Sequence, residues 1–338
     1  MSPSAIDVVF GSAPGKVILF GEHAVVFGQP AIASTIDRGI RVAVSRREGQ
    51  TDGPVLRSTS AMLPVRSKPD PDGEGPERLR QALAVLRSLC GDRVRELTFS
   101  VDGAIPAGAG LGSSAALAVA LVRGIHQFYG EPIDDDALID RAFAVEKIFH
   151  GSPSGVDHTT IVTGGVVSYV KASEEGGAAV VDKLALPRAV SLVVGVAGPH
   201  AGTANAVGAL RDRARRHPDH YARLYDGIGA LSRAARTHLE RGELAAVGEL
   251  MDLNQGYLNA LGVSTPSIEA LCAIARERGA LGAKLSGAGG GGAVIALVDD
   301  AATDGANTIV RAFGAAGYAA FVTELPSATS TMNHPELP

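Results

Sequence analysis

Apolar positions early in the chain alternate or cluster in short runs, which marks strands rather than helices. Lys16–Phe20, Ala31–Ile36 and Gly39–Ser45 are three such runs, the last alternating through Ile40, Val42 and Val44. Residues Thr59 to Pro76, rich in Pro, Asp, Ser and Gly, are expected to form a solvated loop. The period then lengthens, and Leu79, Leu83, Leu86 and Cys90 share one helical face ahead of a strand at Glu96–Val101. Two further helices follow, with stripes at Leu117, Leu121, Ile125 and Phe128 and at Leu138, Ala142, Val145 and Phe149. A short segment opening at Ser154 leads to a strand at Val166–Val170.

The composition shifts near Glu174–Gly177, and Ser191–Val196 begins a second block. That block reads as a strand, several helices between about Thr203 and Gly279, strands at Ala283–Ser286 and Ala293–Val298, a helix near Ala302–Phe313, and a strand at Ala319–Thr323. Strict βαβ alternation is missing, so the pattern favours an α+β fold over a doubly wound parallel sheet. The expected division is residues 1–185, residues 186–325, and a frayed tail over 326–338.

Composition narrows the function. Hydrophobic residues make up 46% of the 338 positions and charged residues 20%, enough for a substantial core. The net charge of −5 lacks the basic excess of a nucleic-acid-binding surface. The richest apolar stretch, Ala115 to Val122, is too short to span a bilayer, so no membrane partner is expected. The first sixteen residues lack a basic segment followed by an apolar one, so no secretory signal is expected. Cys90 and Cys272 have no metal-ligand spacing and are expected to be buried free thiols in a reducing, cytoplasmic compartment.

Three segments carry candidate chemistry. In the first, Lys16 opens an apolar strand and Gly21-Glu22-His23 ends it; alone, this is also what many structural strands look like. The second runs Ile105-Pro106-Ala107-Gly108-Ala109-Gly110-Leu111-Gly112-Ser113-Ser114 into a helix. Alternate glycines let the backbone approach a ligand, and the positive helix end points at the same spot, so phosphate is the natural occupant. One serine of Ser113 and Ser114 can cap the helix and one can turn its hydroxyl towards Mg²⁺. No Gly-Lys-Ser/Thr ends the loop, and its glycine spacing is not the dinucleotide fingerprint. The third segment joins Glu146, a carboxylate unfavourably close to a helix end, to Asp157, where capping is the alternative reading. A supporting segment, Lys284-Leu285-Ser286 followed by Gly287 to Gly292, holds more glycine than a hairpin needs and is expected to pass close to a ligand or to the second segment.

In this order and spacing the segments resemble the GHMP small-molecule kinases, from about Ala13 to Val298. Within that family PGKVILFGEHAVVFGQPAIA, PAGAGLGSSAA, HGSPSGVD and KLSGAGGGG are most similar to the motifs of the mevalonate kinase branch. The resemblance implies a ribosomal protein S5 domain 2-like N-terminal domain, a ferredoxin-like C-terminal domain, and an active site between them. It implies ATP as co-substrate, Mg²⁺ as cofactor and mevalonate as acceptor, with a homodimer left open. It further implies Asp157 as general base, with Lys16 close to both Asp157 and the acceptor hydroxyl. Pro106, Gly108, Ala109, Gly110, Leu111, Gly112, Ser113 and Ser114 would cradle the nucleotide phosphates, and Ser114 and Glu146 would hold the metal. Glu22, His23, Gly155, Thr203 and Gly289 would face the acceptor.

Two departures stand out. Ala293 replaces a cysteine common in that branch, and no Arg or Lys stands near Thr203, where many members carry an arginine. A substrate carboxylate would then rely on His200 or on an arginine from elsewhere. The apolar Ala24-Val25-Val26-Phe27 argues against a sugar acceptor. Phosphomevalonate or the mevalonate 3-hydroxyl are the rival acceptors. A ligand-sensing homologue without catalysis is the rival class, although it would have no need of the Asp157 base.

Overall fold

The structure, a computed structural model, describes residues 8–47, 55–58, 74–106, 108–150, 153–172, 177–198, 203–299 and 304–328. Its first sheet contains β1 (Val9–Phe20), β2 (Ala31–Arg46), β3 (Val55–Ser58), β4 (Leu97–Gly103), β5 (Val166–Val170) and β6 (Val180–Leu184), in the order β3-β4-β2-β5-β6 with β1 also paired to β2. The pairs are antiparallel except β3 with β4. Two runs expected as separate strands are one 16-residue strand, β2. The polar step that reads as a turn, Asp37-Arg38, is held extended from outside the sheet. The Asp37 N–H donates to Thr323 Oγ1 at 3.3 Å, and the Arg38 guanidinium lies 3.9 Å from the Phe321 ring centre. β1 likewise starts well before Lys16, because Pro14 sits at a register shift where its missing N–H costs no ladder bond.

Of the helices beside this sheet, α2 (Ser113–Tyr129) and α4 (Val156–Thr163) lie on it, while α3 (Asp135–His150) packs on both of them and on α1 (Glu74–Cys90). α1 already includes Glu74 to Pro76, which the sequence reading left in the loop. α2 is central, with every residue from Ala115 to Val122 buried, which is why it is built from small and branched apolar residues without an exposed face. β1 crosses it at backbone distance: a Cβ on Gly11 would stand 2.0 Å from the Ala120 carbonyl oxygen.

The second sheet comprises β7 (Val190–Gly198), β8 (Gly282–Ser286), β9 (Gly292–Leu297) and β10 (Ala319–Leu325), in the order β10-β7-β9-β8. All its pairs are antiparallel. Between β7 and β8 run α5 (Thr203–Arg216), α6 (Pro218–Arg241), α7 (Leu244–Ala260) and α8 (Pro266–Glu277), and α9 (Gly305–Ala315) joins β9 to β10. This is the βαββαβ arrangement of a ferredoxin-like sheet, with its first crossover expanded to four helices. The fold is thus α+β, as the mixed pattern implied. The largest core cluster spans both sheets, joining Ile40, Val101 and Leu121 to Leu192, Ile295 and Leu325.

β3 and β6 escaped the sequence reading. β6 is an edge strand with four of its five residues exposed, so it carries no apolar period. Cys272 is fully buried, but Cys90 is only half-buried, and both thiols are free. Residues 329–338, most of the expected frayed tail, lie outside the described residues.

Gly11→Ala is expected to lower unfolding stability by roughly 2–3 kcal/mol in a urea titration, since neither backbone can retreat from the added methyl.

Candidate active site

The glycine loop between β4 and α2 is anchored by its odd members. Ile105, Ala109 and Leu111 are each 1% exposed, and the Lys16 N–H donates to the Leu111 carbonyl at 3.0 Å. The even members Gly108, Gly110 and Gly112 adopt φ of 68°, 71° and 76°, a left-handed conformation that suits glycine and turns successive N–H groups towards one concavity. α2 then starts at Ser113 with Gly112 as its N-cap and no side-chain cap. The anticipated serine cap is absent, so the first-turn N–H groups stay open to an anion. Gly112 has a second function: a Cβ there would come within 2.7 Å of Lys16 Cγ, so the bare glycine lets the lysine stem pass. Pro106 is half-buried and Gly108 exposed, while Ala107 lies outside the described residues.

Lys16 ends on Asp157. Its Nζ lies 2.9 Å from Asp157 Oδ1, with side-chain exposures of 3% and 25%. The ammonium is enclosed while the carboxylate can still be reached from outside. Asp157 is the second residue of α4 and does not cap it; the N-cap is Gly155, at φ 95°. A Cβ on Gly155 would overlap the Tyr169 hydroxyl at 2.3 Å, and that hydroxyl donates to the Ser154 carbonyl at 3.0 Å. Tyr169 of β5 therefore fixes the start of α4, and with it Asp157.

Glu146 finds its compensating partner in His158, one residue past Asp157. His158 Nδ1 and Glu146 Oε2 are 2.5 Å apart, with both side chains buried, and the imidazole packs on Phe143 at 4.8 Å between ring centres. Among the described residues no group of three His, Cys, Asp or Glu could hold a metal unaided. Yet only one Glu146 oxygen is engaged, and the Ser114 hydroxyl has no partner among the described residues. Two hard oxygen donors of this kind fit Mg²⁺, which usually keeps water and phosphate oxygens for most of its shell.

The end of β1 is tied to the second sheet. Glu22, 1% exposed, forms a fully buried ion pair with Lys284 of β8 and accepts a hydrogen bond from Asn254 Nδ2 at 3.2 Å. Lys284 also donates to the Leu285 carbonyl at 2.6 Å. Glu22 was expected to face the acceptor; its carboxylate is instead committed to these two side chains. Nearby, the Ile18 N–H donates to Ser286 Oγ at 2.8 Å, and His23 Nε2–H donates to the Ala288 carbonyl at 3.0 Å. His23 has φ 62°, and burial pushes its pKa down from 6.5 to about 4; the Ala288 hydrogen bond opposes this, while the charges of Arg213 and Lys284 add to it.

These ties bring the two glycine loops face to face, so that a Cβ on Gly287 would be 3.5 Å from the Gly110 carbonyl oxygen. Gly289 is turned the other way, where a Cβ would strike the Val263 carbonyl at 2.2 Å. Thr203 opens α5, but its side chain and all of His200 lie outside what is described. The cation that α5 brings near His23 is Arg213, whose Nη2 donates to the Leu261 and Gly262 carbonyls at 2.8 and 3.1 Å and so secures the end of α7. His158, Tyr169, Asn254 and the pairing of Lys284 were all missed in the sequence. The sole signal there was the position of His158 beside Asp157 and of Lys284 beside the last glycine run.

A glycine loop open at a helix start, a lysine–aspartate pair beside it and a second glycine loop facing it suit a phosphotransferase, and comparison with known proteins agrees. Residues 77–165 match the model of the GHMP kinases N-terminal domain and residues 235–319 that of the GHMP kinases C-terminal domain. The chain belongs to the GHMP kinase family. It is similar to the mevalonate kinase of Aeropyrum pernix, 37% identical over 93% of this chain and 96% of that one, and to that of Thermococcus sibiricus, 33% identical over 90% and 94%. Among solved structures, L. major mevalonate kinase in complex with R-mevalonate superposes with a TM-score of 0.84 at 29% identity, over 98% of this chain and 100% of that one.

Two outcomes are expected. Glu22→Leu leaves Lys284 buried without its counter-charge and is expected to cost about 3–5 kcal/mol in denaturant unfolding, with most of that loss recovered in Glu22→Leu/Lys284→Met. For His23 the unfolded chain takes up a proton near pH 6.5 and the folded chain near 4, so its contribution to stability is complete above pH 6.5 and shrinks as pH falls towards 4. A His23→Asn variant, which tolerates the positive φ, should show a flatter loss of stability over that window in thermal melts.

Proposed function

We propose that this protein transfers the γ-phosphoryl group of ATP to the primary 5-hydroxyl of (R)-mevalonate, releasing ADP and 5-phosphomevalonate. The observation that carries this reading is the 2.9 Å contact of Lys16 with Asp157, made beside a loop whose amides and helix end are open to phosphate. The likeness to curated mevalonate kinases over most of the chain supports mevalonate as the acceptor.

In this reading the Asp157 carboxylate takes the hydroxyl proton as the oxygen attacks the γ-phosphorus. Lys16, held rigid by its enclosure and by Gly112, offsets negative charge on the transferring phosphoryl oxygens. The amides of Gly108 to Ser114 hold the ATP phosphates, and Leu111 and Ala109 keep them aimed by being buried. Ser114 and Glu146 would hold Mg²⁺, with His158 fixing the orientation of the Glu146 carboxylate; when bound, the ion supplies charge that neutralises phosphate oxygens. His23, uncharged near neutral pH, bounds the acceptor end without adding a second cation beside Lys284. Thr203 and Gly155 complete that end in this reading, while Glu22 and Gly289 contribute by shaping it rather than by touching the acceptor. Residues 1–185 and 186–325 form its two sides, and the cytoplasm is the compartment we assign to the reaction. No helix among the described residues is long and apolar enough to cross a membrane.

A coupled ADP-release assay with Mg·ATP and, in parallel, mevalonate, 5-phosphomevalonate, galactose or homoserine tests the reading. Saturable turnover is expected with mevalonate alone. Asp157→Asn and Lys16→Met are each expected to lower kcat by about a thousandfold or more while nucleotide binding is retained. Near-normal turnover by a folded Asp157→Asn protein would remove Asp157 from the mechanism.

A further inference from the structure

A cavity of about 310 Å³ lies where the start of β1 meets the far half of α2, lined in part by Phe10, Ser12, Arg123, Gln127, Pro132 and Ile133. It does not belong to the reaction centre. Arg123 is ten residues along α2 from Ser113, which puts it about 15 Å down the helix axis from the phosphate cradle.

Arg123 is the unusual member of the lining. Its Nη1 donates to the Ser12 carbonyl at 3.0 Å, and among the described residues no carboxylate comes within ion-pairing distance of it. Burial draws its pKa down from the ordinary value, opposed by the more distant charge of Asp135. Arg123 is half-buried, and its fork of N–H donors, without a carboxylate beside an open cavity, is suited to a planar or tetrahedral oxyanion.

The neighbouring groups do not supply that counter-charge. Glu131 lines the cavity too, but its carboxylate is paired with Arg93 at 2.8 Å. His126 is occupied at both ring nitrogens, Nδ1–H donating to the Glu131 carbonyl at 3.2 Å and Nε2 accepting from Arg141. Its imidazole is therefore neutral, in keeping with a pKa lowered by burial. The rest of the wall is mixed: Gln127 and Ser12 are polar, and Pro132, Ile133 and the ring of Phe10, which carries the Arg41 guanidinium on its face at 3.7 Å, form its apolar part.

We propose that this cavity binds a small oxyanion, a carboxylate or a phosphate monoester, that carries a short apolar chain, the anion on Arg123 and the chain against Phe10, Pro132 and Ile133. The occupant sits where β1, the strand of Lys16, touches α2, the helix of the phosphate loop, and it is distinct from both reactants.

Calorimetric titration of the full chain with butyl phosphate and with pentanoate, the nucleotide site filled by ADP, tests this and separates the two anion chemistries. Saturable binding of at least one is expected, unchanged in Lys16→Met and weakened at least about tenfold in Arg123→Gln, the loss of a charge-assisted contact. Ile133→Trp, which fills the cavity from a partly exposed position, is expected to abolish it and decides the matter if Arg123→Gln does not fold. Binding of neither probe at millimolar concentration, equal binding by Ile133→Trp, or loss of binding in Lys16→Met would each overturn the proposal. Inorganic phosphate is expected to bind more weakly than butyl phosphate; equal affinity would remove the apolar half of the site.

Discussion

The buried ion pair of Glu22 and Lys284 couples the end of β1 to the second sheet, and the approach of the two glycine loops depends on it. Two charges without water are tolerated because Asn254 and the Leu285 carbonyl take up further hydrogen-bonding capacity. Such a pair adds little to stability compared with an apolar substitute. What it contributes is register, since it can be satisfied in one placement of β8 against β1. With that placement set, Ser286 reaches the Ile18 amide, Ala288 reaches His23, and Gly287 stands opposite Gly110.

Lys16 and Asp157 are positioned by elements that have little freedom of their own. β1 is locked along β2 and pressed backbone-to-backbone on α2, and α4 is held at its start by Tyr169. Lys16 is thus enclosed by rigid walls with Asp157 still reachable beside it, while the loop amides and the uncapped end of α2 stay open to an anion. Pre-set electrostatics of this kind suit phosphoryl transfer, where the protein performs little covalent chemistry. The continuity of the core across both sheets indicates that the two halves are packed as one body rather than strung loosely together.

Much of this was legible in the sequence, and the reason is local. The Gly108–Gly112 loop is a contiguous segment whose glycine spacing points to phosphate, whereas Lys16 and Asp157 alone also fit a structural strand end and a helix cap and stood out through the family resemblance. The α+β class followed from the mixture of periods. The losses have physical causes of their own. β6 has almost no buried face to betray it, and Asp37-Arg38 mimics a turn because its support comes from β10, nearly three hundred residues away. The partners of Glu22 and Glu146 were invisible for the same reason: a carboxylate advertises a need for compensation but not who meets it. The family resemblance made Glu22 an acceptor contact, whereas its partner Lys284 lies 262 residues along the chain.

The most direct test of the account is a crystal structure of the protein with (R)-mevalonate and a non-hydrolysable ATP analogue. The account predicts the 5-hydroxyl oxygen within about 3 Å of the Asp157 carboxylate and facing Lys16, with the γ-phosphate against the Gly108–Gly112 amides. A mevalonate bound with that hydroxyl turned away from Asp157, or nucleotide phosphates seated away from the start of α2, would contradict it.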